Sequence, residues 1–408
     1  MQIFIRTILF ALLVFLVEFY FLRKFRKSFE IIFKKTANIK IRKAIKIFVS
    51  IINIYPAFLI LDWVLAEITD APVFIPQNIF FDWIILFPFW IFILIAIQCN
   101  LLFLIIDFIN ILSISIRKRF KEKYYSAEAA IILILIVSFG IYVPARVIYD
   151  YNTIQIRSVD YEKKNLPAQL NNFCIVLISD IHADRYTNAA RLQKFINGVN
   201  STNPDIVLIG GDMISSSSEY IDTAAKYLGM IKSKFGIYSC VGDHDNWAYR
   251  NDSQKSLEEI ESVLKKHNIF MIDDGNKALN INGASVEITF ITNTYVEHIT
   301  NSILDKLTSD TTNFGLKILI SHQPKQNIVD KAVKANYDLI FAGHTHGGQI
   351  TFLFPFKNLT PTMLETKYIR GNFNFGKTLM IVTRGLGMSL IPMRYNSTPE
   401  ITVINISK

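Results

Sequence analysis

Four long apolar stretches in the first third of the chain restrict its possible folds most strongly. They cover residues 3–22, 46–66, 83–106 and 128–148 of a 408-residue sequence. Each is close to the ~20 residues that a bilayer-spanning helix needs. Most basic residues follow the first stretch rather than precede it, which is the reverse of a cleaved signal peptide. We therefore predict an anchor of four transmembrane helices over residues 1–149, followed by a second domain over residues 150–408.

The distribution of charge orients these predicted helices. Residues 1–149 contain 17 Lys and Arg against 9 Asp and Glu, whereas residues 150–408 contain 26 against 25. The basic excess lies in two loops, residues 23–43 and 117–123. Because positively charged loops stay in the cytoplasm, we predict that the N-terminus and the second domain are both extracytoplasmic. A helix count that is wrong by one would reverse the side on which the second domain lies.

The same charge distribution bears on the partners of the protein. The nearly neutral part after residue 149 has no basic footprint of the kind that nucleic-acid-binding domains carry, so we expect no nucleic acid partner. The basic loops are explained by membrane topology and by attraction to anionic lipid. The expected partner is thus the lipid bilayer of a bacterial inner or plasma membrane, and the oligomeric state is left open.

Two further features have an ordinary structural interpretation. Cys174 and Cys240 lie in apolar, strand-like runs without a Cys-rich frame, so we expect core thiols and no structural disulfide. Glu18, Asp62 and Asp107 lie in or beside the predicted spans, where acidic residues can mark a transport path. They are scattered and lie near helix ends or a bundle interior, so we interpret the helices as an anchor.

Strand-like and helix-like segments alternate in the second domain. Short apolar runs typical of strands cover residues 173–179, 205–210, 236–241, 316–321 and 337–343, with later ones at 286–293, 378–383 and 401–406. Amphipathic helical patterns cover residues 220–235, 254–267 and 326–336. This alternation predicts an α/β domain with open sheets, whose ligands bind beyond the carboxyl ends of the strands.

Residue types that bind metals directly follow five of these predicted strands. The set comprises Asp180, His182, Asp212, Asp243, His244, Asp245, His322, His344 and His346. It includes five of the seven histidines of the chain. A single Asp or His after a strand is usually a helix cap or an ordinary surface residue. Five such coincidences at strand ends are hard to attribute to chance.

This combination of side chains is suited to metal-dependent chemistry. Imidazole and carboxylate together suit ions such as Mn, Fe, Zn or Co. Three Asp and four His are too many for one ion but suit two ions ~3.5–4 Å apart that share a carboxylate. Such a pair activates a bridging water and holds phosphoryl oxygens for an in-line displacement. His244, with Asp245 beside it, fits the acid that protonates the leaving oxygen.

The order of the motifs adds a resemblance to a known family. Asp-x-His, Gly-Asp, Gly-x-His-Asp, His and Gly-His-x-His, in this order, resemble the calcineurin-like metallophosphoesterase superfamily. The resemblance covers about residues 154–406. The segments SDIHAD and GHTHGGQI and the run from Thr383 onward look most like its membrane-tethered bacterial branch. Transmembrane proteins with a metallophosphoesterase domain have a similar layout.

The resemblance implies a fold and a role for each residue. The fold would be a four-layer α/β/β/α sandwich with two metal ions at one edge of its sheets. One ion would be bound by Asp180, His182 and His346. Asp212 would bridge to a second ion, which would also be bound by Asp243, His322 and His344. His244 would act as the acid or orient the phosphate, and Asp245 would position it.

Position 243 departs from the family pattern, which has Asn where this chain has Asp. Either side chain offers an oxygen to a metal ion, but Asp lacks the amide donor, a loss of about 1–3 kcal/mol if a partner depends on it. Its added charge favours a more highly charged ion such as ferric iron, unless Asp243 is protonated beside the other carboxylates. We expect an active but altered enzyme rather than a degenerate one.

We therefore expect a membrane-anchored two-metal phosphoesterase. It would cleave phosphate monoesters, diesters or pyrophosphates by attack of a metal-bridged hydroxide, on envelope or lipid-linked substrates. One alternative is a UDP-2,3-diacylglucosamine-type pyrophosphatase of lipid A synthesis, whose cytoplasmic substrate disagrees with the predicted topology. The other is a catalytically degenerate metal-binding module that acts as a sensor or interaction domain.

Overall fold

The computed structural model of the protein describes residues 2–33, 38–69, 76, 78–249, 251–309, 314–354 and 357–408. Its contacts divide the chain into two compact units, Met1–Arg146 and Val147–Lys408. We describe the two units separately because each has its own core.

The described part of the first unit is helical. Its helices are α1 Gln2–Phe33, α2 Asn38–Ile52, α3 Ile54–Thr69, α4 Ile79–Phe81, α5 Phe87–Leu112, α6 Ile114–Arg119 and α7 Lys121–Asn152, whose last residues belong to the second unit. A π-helical turn, Asp82–Leu86, joins α4 to α5. Three segments are long and apolar enough to cross a membrane: Lys43–Ala66, Ile79–Leu112 and Lys121–Asn152.

Three of the four predicted spans lie within these segments. The fourth, residues 3–22, is helical within α1. The side chains of residues 2–7 lie outside the described residues, so a membrane crossing by α1 stays a prediction.

Polar side chains inside the helical unit pair with one another. Asp107 of α5 accepts a hydrogen bond from Tyr20 of α1 at 2.7 Å and also binds Lys24 of the same helix. Lys24 Nζ lies 3.4 Å from Glu128 of α7. Because an unpaired charge is costly within a membrane, these contacts hold α1, α5 and α7 together. They support the interpretation of this unit as an anchor.

The second unit contains two six-stranded sheets in the part of the chain that the structure describes. Its strands are β1 Gln155–Glu162, β2 Phe173–Ile178, β3 Ile206–Ile209, β4 Ile237–Ser239, β5 Ile269–Met271, β6 Gly275–Ile281, β7 Ala284–Ile291, β8 Leu316–Ser321, β9 Leu339–Ala342, β10 Gly371–Phe375, β11 Thr378–Val382 and β12 Glu400–Ser407. The first sheet has the order β1-β12-β2-β3-β4-β5 and the second β10-β11-β9-β8-β7-β6. The neighbours β2, β3, β4 and β5 are parallel, as are β7, β8, β9 and β11.

Helices cover the outer faces of both sheets. They are α8 Ala189–Asn200, α9 Ile221–Leu228, α10 Ser253–Lys266, α11 Asn301–Thr308 and α12 Gln326–Lys334. The inner faces pack on each other through residues such as Leu177, Ile320 and Phe341. Helices α8 to α10 pack on the first sheet, and α11 and α12 on the second. The predicted four-layer α/β/β/α sandwich is therefore confirmed.

The predicted strands that precede the metal-binding residue types are β2, β3, β4, β8 and β9. Apart from the partly buried Cys174, their residues are buried, and burial on both faces explains why these strands are continuous apolar runs in the sequence. The helix predicted at residues 220–235 is shorter, since α9 ends at Leu228 before Gly229. Edge strands β6 and β10 were not predicted, because they are largely exposed and lack an apolar run.

Candidate metal centre

The predicted ligands meet where strands of both sheets end. Asp180, Asp212 and Asp243 follow the parallel neighbours β2, β3 and β4 of the first sheet. His322 and His344 follow the neighbours β8 and β9 of the second sheet. Because the carboxyl ends of parallel strands lie at the same edge of a sheet, the chain brings together side chains that are up to 164 positions apart in sequence.

Five of these residues have a left-handed backbone conformation. The φ angles are 52° at Asp180, 47° at His182, 58° at Asp212, 68° at His344 and 50° at His346. Non-glycine residues seldom adopt this conformation, which costs roughly 1–2 kcal/mol each. Such backbone strain clusters at functional sites, where the surrounding structure enforces it.

The first group of ligand atoms belongs to Asp180, His182 and His346. The Nε2 atoms of His182 and His346 are 3.1 Å apart. His346 Nε2 also lies 3.5 Å from an oxygen of Asp180. The carboxylate of Asp180 is fully buried and is oriented by the backbone N–H of His344 at 3.0 Å. This group offers two imidazoles and one carboxylate to a single point.

Asp212 lies between the two groups. Its Oδ2 atom is 3.3 Å from His182 Nε2 and 3.3 Å from His322 Nε2. Its other oxygen accepts the backbone N–H of His244 at 2.7 Å. An oxygen that is equidistant from a histidine of each group has the geometry of a ligand that bridges two ions.

The second group belongs to Asp243, His322 and His344. Asp243 Oδ2 lies 3.2 Å from His322 Nε2 and 2.7 Å from His344 Nδ1. The Nδ1–H of His322 donates to the carbonyl of Gly210 at 2.6 Å, so Nε2 is the nitrogen that a neutral imidazole would offer to a metal ion. This Nε2 is buried and faces the carboxylates of Asp212 and Asp243 at 3.3 and 3.2 Å. It is therefore a candidate ligand atom.

Buried carboxylates give the site a strong requirement for positive charge. Burial opposes protonation of His322, but Asp212 and Asp243 raise its pKa well above the usual value. Burial likewise opposes protonation of His344, whose pKa Asp243 and Glu365 raise to about 9. Metal ions satisfy the same requirement. The donor set of three carboxylates and four imidazoles therefore fits two first-row metal ions.

The imidazole of His244 lies beside the ligands. Its ring contacts His182 edge-on, with ring centroids 4.5 Å apart, and Trp247 at 4.6 Å. Nδ1 binds the carbonyl of Ser215, and Nε2 lies 3.2 Å from the hydroxyl of Ser389. Burial and the neighbouring His182 lower the pKa of His244 to about 4. The ring is thus neutral near pH 7 in the absence of an anionic ligand.

Asp245 does not position His244, so this part of the prediction is wrong. Its carboxylate accepts three backbone N–H groups, from Gly242 at 2.8 Å, Met213 at 2.9 Å and Asp212 at 3.0 Å. The two residues lie in a 3₁₀ turn, where consecutive side chains point ~120° apart. Burial, with Asp212 nearby, raises the pKa of Asp245 to about 6. Asp245 instead joins the loops that carry Asp212 and Asp243.

Gln323 contacts the candidate site, and the sequence patterns did not indicate it. Its amide Nε2 donates to both oxygens of Asp243, at 2.8 and 2.9 Å. The backbone N–H of Tyr295 donates to Asp243 Oδ1 at 2.6 Å. Hydrogen bonds with His322 and His344 lower the pKa of Asp243 although burial opposes this. The structure therefore surrounds position 243 with donors and favours an ionised carboxylate there.

Two other residues outside the predicted set contact the ligands. Glu365 accepts from His344 Nε2 at 2.8 Å and from the hydroxyl of Tyr295 at 2.9 Å. Arg394 is completely buried and donates to the carbonyl of His346 at 3.2 Å. Glu365 lies in a loop without a recognisable pattern, whereas Arg394 belongs to the C-terminal run that resembles the family.

Two packed sheets with two groups of candidate metal ligands at one edge are the arrangement expected of a metallophosphoesterase. The sequence model of the calcineurin-like phosphoesterase family matches residues 174–348. The uncharacterized metallophosphoesterase YkuE of Bacillus subtilis is 30% identical over 246 residues, which cover 59% of this chain and 81% of that protein. A transmembrane protein with metallophosphoesterase domain from Danio rerio is 30% identical over 256 residues, covering 61% of this chain and 56% of that protein.

A third relative is the UDP-2,3-diacylglucosamine pyrophosphatase LpxG of Chlamydia muridarum. It is 26% identical over 296 residues, which cover 62% of this chain and 89% of that protein. The chain belongs to the calcineurin-like metallophosphoesterases, and the resemblance seen in the sequence is confirmed. Membership implies a phosphoesterase hydrolase, and proteins of this family typically bind two metal ions.

Asp243→Asn is expected to weaken the site even though it restores the residue of the family. If the Asn nitrogen takes the place of Oδ1, it faces the donors of Tyr295 and Gln323. If it takes the place of Oδ2, it removes the lone pair that faces His344 and His322. We expect metal affinity and kcat/KM to fall about 10–100-fold, measured by metal titration and steady-state kinetics.

A second substitution tests the physical reason for this loss. In Asp243→Asn/Gln323→Glu, the carboxylate at 323 accepts from the amide at 243, so activity should partly recover. Gln193→Glu, which makes the same change at a partly buried position of α8, is the matched control and should rescue nothing. Equal or higher activity of Asp243→Asn alone would show that Asp243 is a defect in a damaged enzyme.

Asp245→Asn is expected to disturb the bridging position. An amide oxygen cannot replace both carboxylate oxygens that accept from Gly242, Asp212 and Met213, so one backbone donor loses its partner. We expect an approximately 10–100-fold loss of metal affinity, measured by metal titration together with a lowered Tm. Asp222→Asn on the exposed face of α9 is the control. Unchanged affinity of Asp245→Asn would contradict the positioning role.

Proposed function

We propose that the protein is a membrane-anchored two-metal phosphoesterase that hydrolyses phosphate monoesters, diesters or pyrophosphates. The observation that carries this proposal is Asp212 Oδ2, which lies 3.3 Å from a histidine of each ligand group. Two bound ions supply Lewis acidity toward the phosphoryl oxygens and activate water as the nucleophile. Mn, Fe, Zn and Co are the candidate metals.

The residues beside the ligands bind and orient the substrate. A cavity of about 310 Å³ opens onto Asp212, Asp243, His344 and His346, and His244, Trp247 and Tyr295 also line it. The Nδ1–H of His244 is held by the carbonyl of Ser215, so its Nε2 is directed toward the hydroxyl of Ser389 at the cavity wall. An anionic phosphoryl group raises the pKa of a neighbouring imidazole. A bound phosphoryl group therefore favours the protonated form of His244, which is the form that donates to the phosphate or the leaving oxygen.

Hydrolysis of p-nitrophenyl phosphate by the 408-residue chain in lipid nanodiscs tests the proposal. Asp212→Asn and His322→Gln are expected to lower kcat/KM at least ~100-fold, because several kcal/mol of transition-state stabilisation are lost. Chelation should abolish activity and Mn²⁺ should restore it. Asp222→Asn and His298→Gln change exposed residues of the same types and serve as controls. Inactivity with all four metals on monoester, diester and pyrophosphate substrates would overturn the proposal.

A second candidate function is supported by the similarity to LpxG. That relative is a UDP-2,3-diacylglucosamine pyrophosphatase, and its reaction is also a metal-compatible cleavage of a phosphoanhydride. The substrate of such a reaction lies in the cytoplasm, whereas the charge distribution of this chain favours an extracytoplasmic second unit. The side on which the second unit lies therefore distinguishes the two functions.

Reporter fusions at the C-terminus measure this topology. Alkaline phosphatase, which is active only outside the cytoplasm, is expected to be active when fused after Lys408. Green fluorescent protein fused at the same place should not fluoresce after export. The opposite pattern would place the second unit in the cytoplasm and favour the pyrophosphatase function.

A further inference from the structure

Two fully exposed leucines belong to segments that line the cavity, Pro361–Leu364 with Glu365 and the loop around Ser389. Leu390 is 97% exposed and lines the cavity, and Leu364 is 95% exposed. Leu364 directly precedes Glu365, which lines the cavity and binds His344 Nε2. Leu390 directly follows Ser389, whose hydroxyl lies beside His244 Nε2. Each leucine is thus the sequence neighbour of a residue whose side chain contacts a histidine of the site.

Exposure alone would mean little, because single leucines on protein surfaces are common. Leu390 differs because its backbone is left-handed, with φ at 61°. A bulky residue in this conformation is a true outlier that the surrounding structure has to enforce. The loop therefore holds an apolar side chain in water, in a backbone conformation that glycine would adopt more easily.

The structure that enforces this conformation is the side chain of Gln349. Its Nε2 donates to the carbonyls of Ser389, Ile391 and Met393 at 2.9, 2.8 and 3.1 Å. Its Oε1 accepts the backbone N–H of Ser389 at 2.9 Å. Hydrogen bonds on both sides of Leu390 fix the loop, so the exposed side chain is part of a rigid frame. Gln349 lies three residues after His346, in the segment that also supplies the candidate ligands His344 and His346.

We propose that Leu364 and Leu390 bind the hydrocarbon chain of an amphipathic phosphate ester whose phosphate occupies the cavity. The proposal rests on the phosphoesterase function proposed above and names its substrate class as a lipid phosphate. The lining of the cavity combines the polar candidate metal ligands with apolar side chains, Ile350, Pro361 and Ile391 beside Leu390. A substrate that fits both parts has a phosphate at one end and an apolar chain at the other.

Alkyl esters that differ only in chain length test this inference. Ethyl and octyl phosphate, and the corresponding alkyl p-nitrophenyl phosphates, are monomeric probes for the Mn²⁺-loaded protein in nanodiscs. We expect a higher kcat/KM for the octyl esters. In Leu364→Ser/Leu390→Ser the octyl-to-ethyl ratio should fall about tenfold, since burying part of two leucines against a chain contributes this much. Ile303→Ser, at a half-exposed position on α11, should leave the ratio unchanged.

Leu390→Gly separates the side chain from the backbone. Glycine adopts the left-handed conformation freely, so this variant should retain or raise the Tm while its octyl-to-ethyl ratio falls. An equal ratio in the wild-type protein and in both leucine variants would overturn the inference and leave the phosphoesterase function intact.

Binding of octyl and ethyl phosphonate, measured by calorimetry, distinguishes the two proposals. A leucine-dependent preference for octyl phosphonate without hydrolysis of any ester would retain the proposed apolar contact and overturn the phosphoesterase function. A leucine effect that is confined to esters embedded in phosphatidylcholine vesicles, and absent for monomeric octyl esters, would show that the leucines contact the bilayer. That result would contradict the inference.

Discussion

The second unit depends on the burial of three carboxylates where its two sheets end. Asp180, Asp212 and Asp243 are each at most 2% exposed. A buried carboxylate is costly unless donors or cations satisfy it. Backbone N–H groups after other strands satisfy some of the oxygens, and the four imidazoles surround the others. The carboxylates come from the first sheet and three of the imidazoles from the second. The site is therefore assembled only when the two sheets pack on each other.

The aspartate at position 243 is compensated by its surroundings. An isolated extra charge would weaken the pull of two metal ions on a phosphate. Here the carboxylate accepts from Gln323 and from the backbone of Tyr295, so part of its charge is neutralised by donors. Gln323 is itself held by the amide of Asn293 at 3.2 Å. The departure from the family pattern is thus one half of a hydrogen-bonded pair rather than a lone defect.

The grouping of the candidate ligands follows from the sequence because the carboxyl ends of parallel strands lie at one edge of a sheet, a rule that needs no side-chain detail. The sequence prediction failed for Asp245, since adjacency in sequence does not mean contact within a 3₁₀ turn. Gln323 and Glu365 also could not be identified, because each contacts a ligand that is supplied by a distant strand. Such contacts depend on the packing of the sheets, which the periodicity of a single segment does not encode.

Left-handed backbone positions near the site are occupied both by glycine, which adopts this conformation freely, and by residues with a side chain, for which it is strained. Glycine occupies several left-handed positions of these loops, for example Gly211, Gly347 and Gly348. Asp212 and His346 adopt the same conformation beside them at a cost of about 1–2 kcal/mol each. Their carboxylate and imidazole explain why glycine does not replace them. Leu390 has the same conformation without a polar group, and its exposed apolar side chain is the part that the proposed contact with a hydrocarbon chain uses.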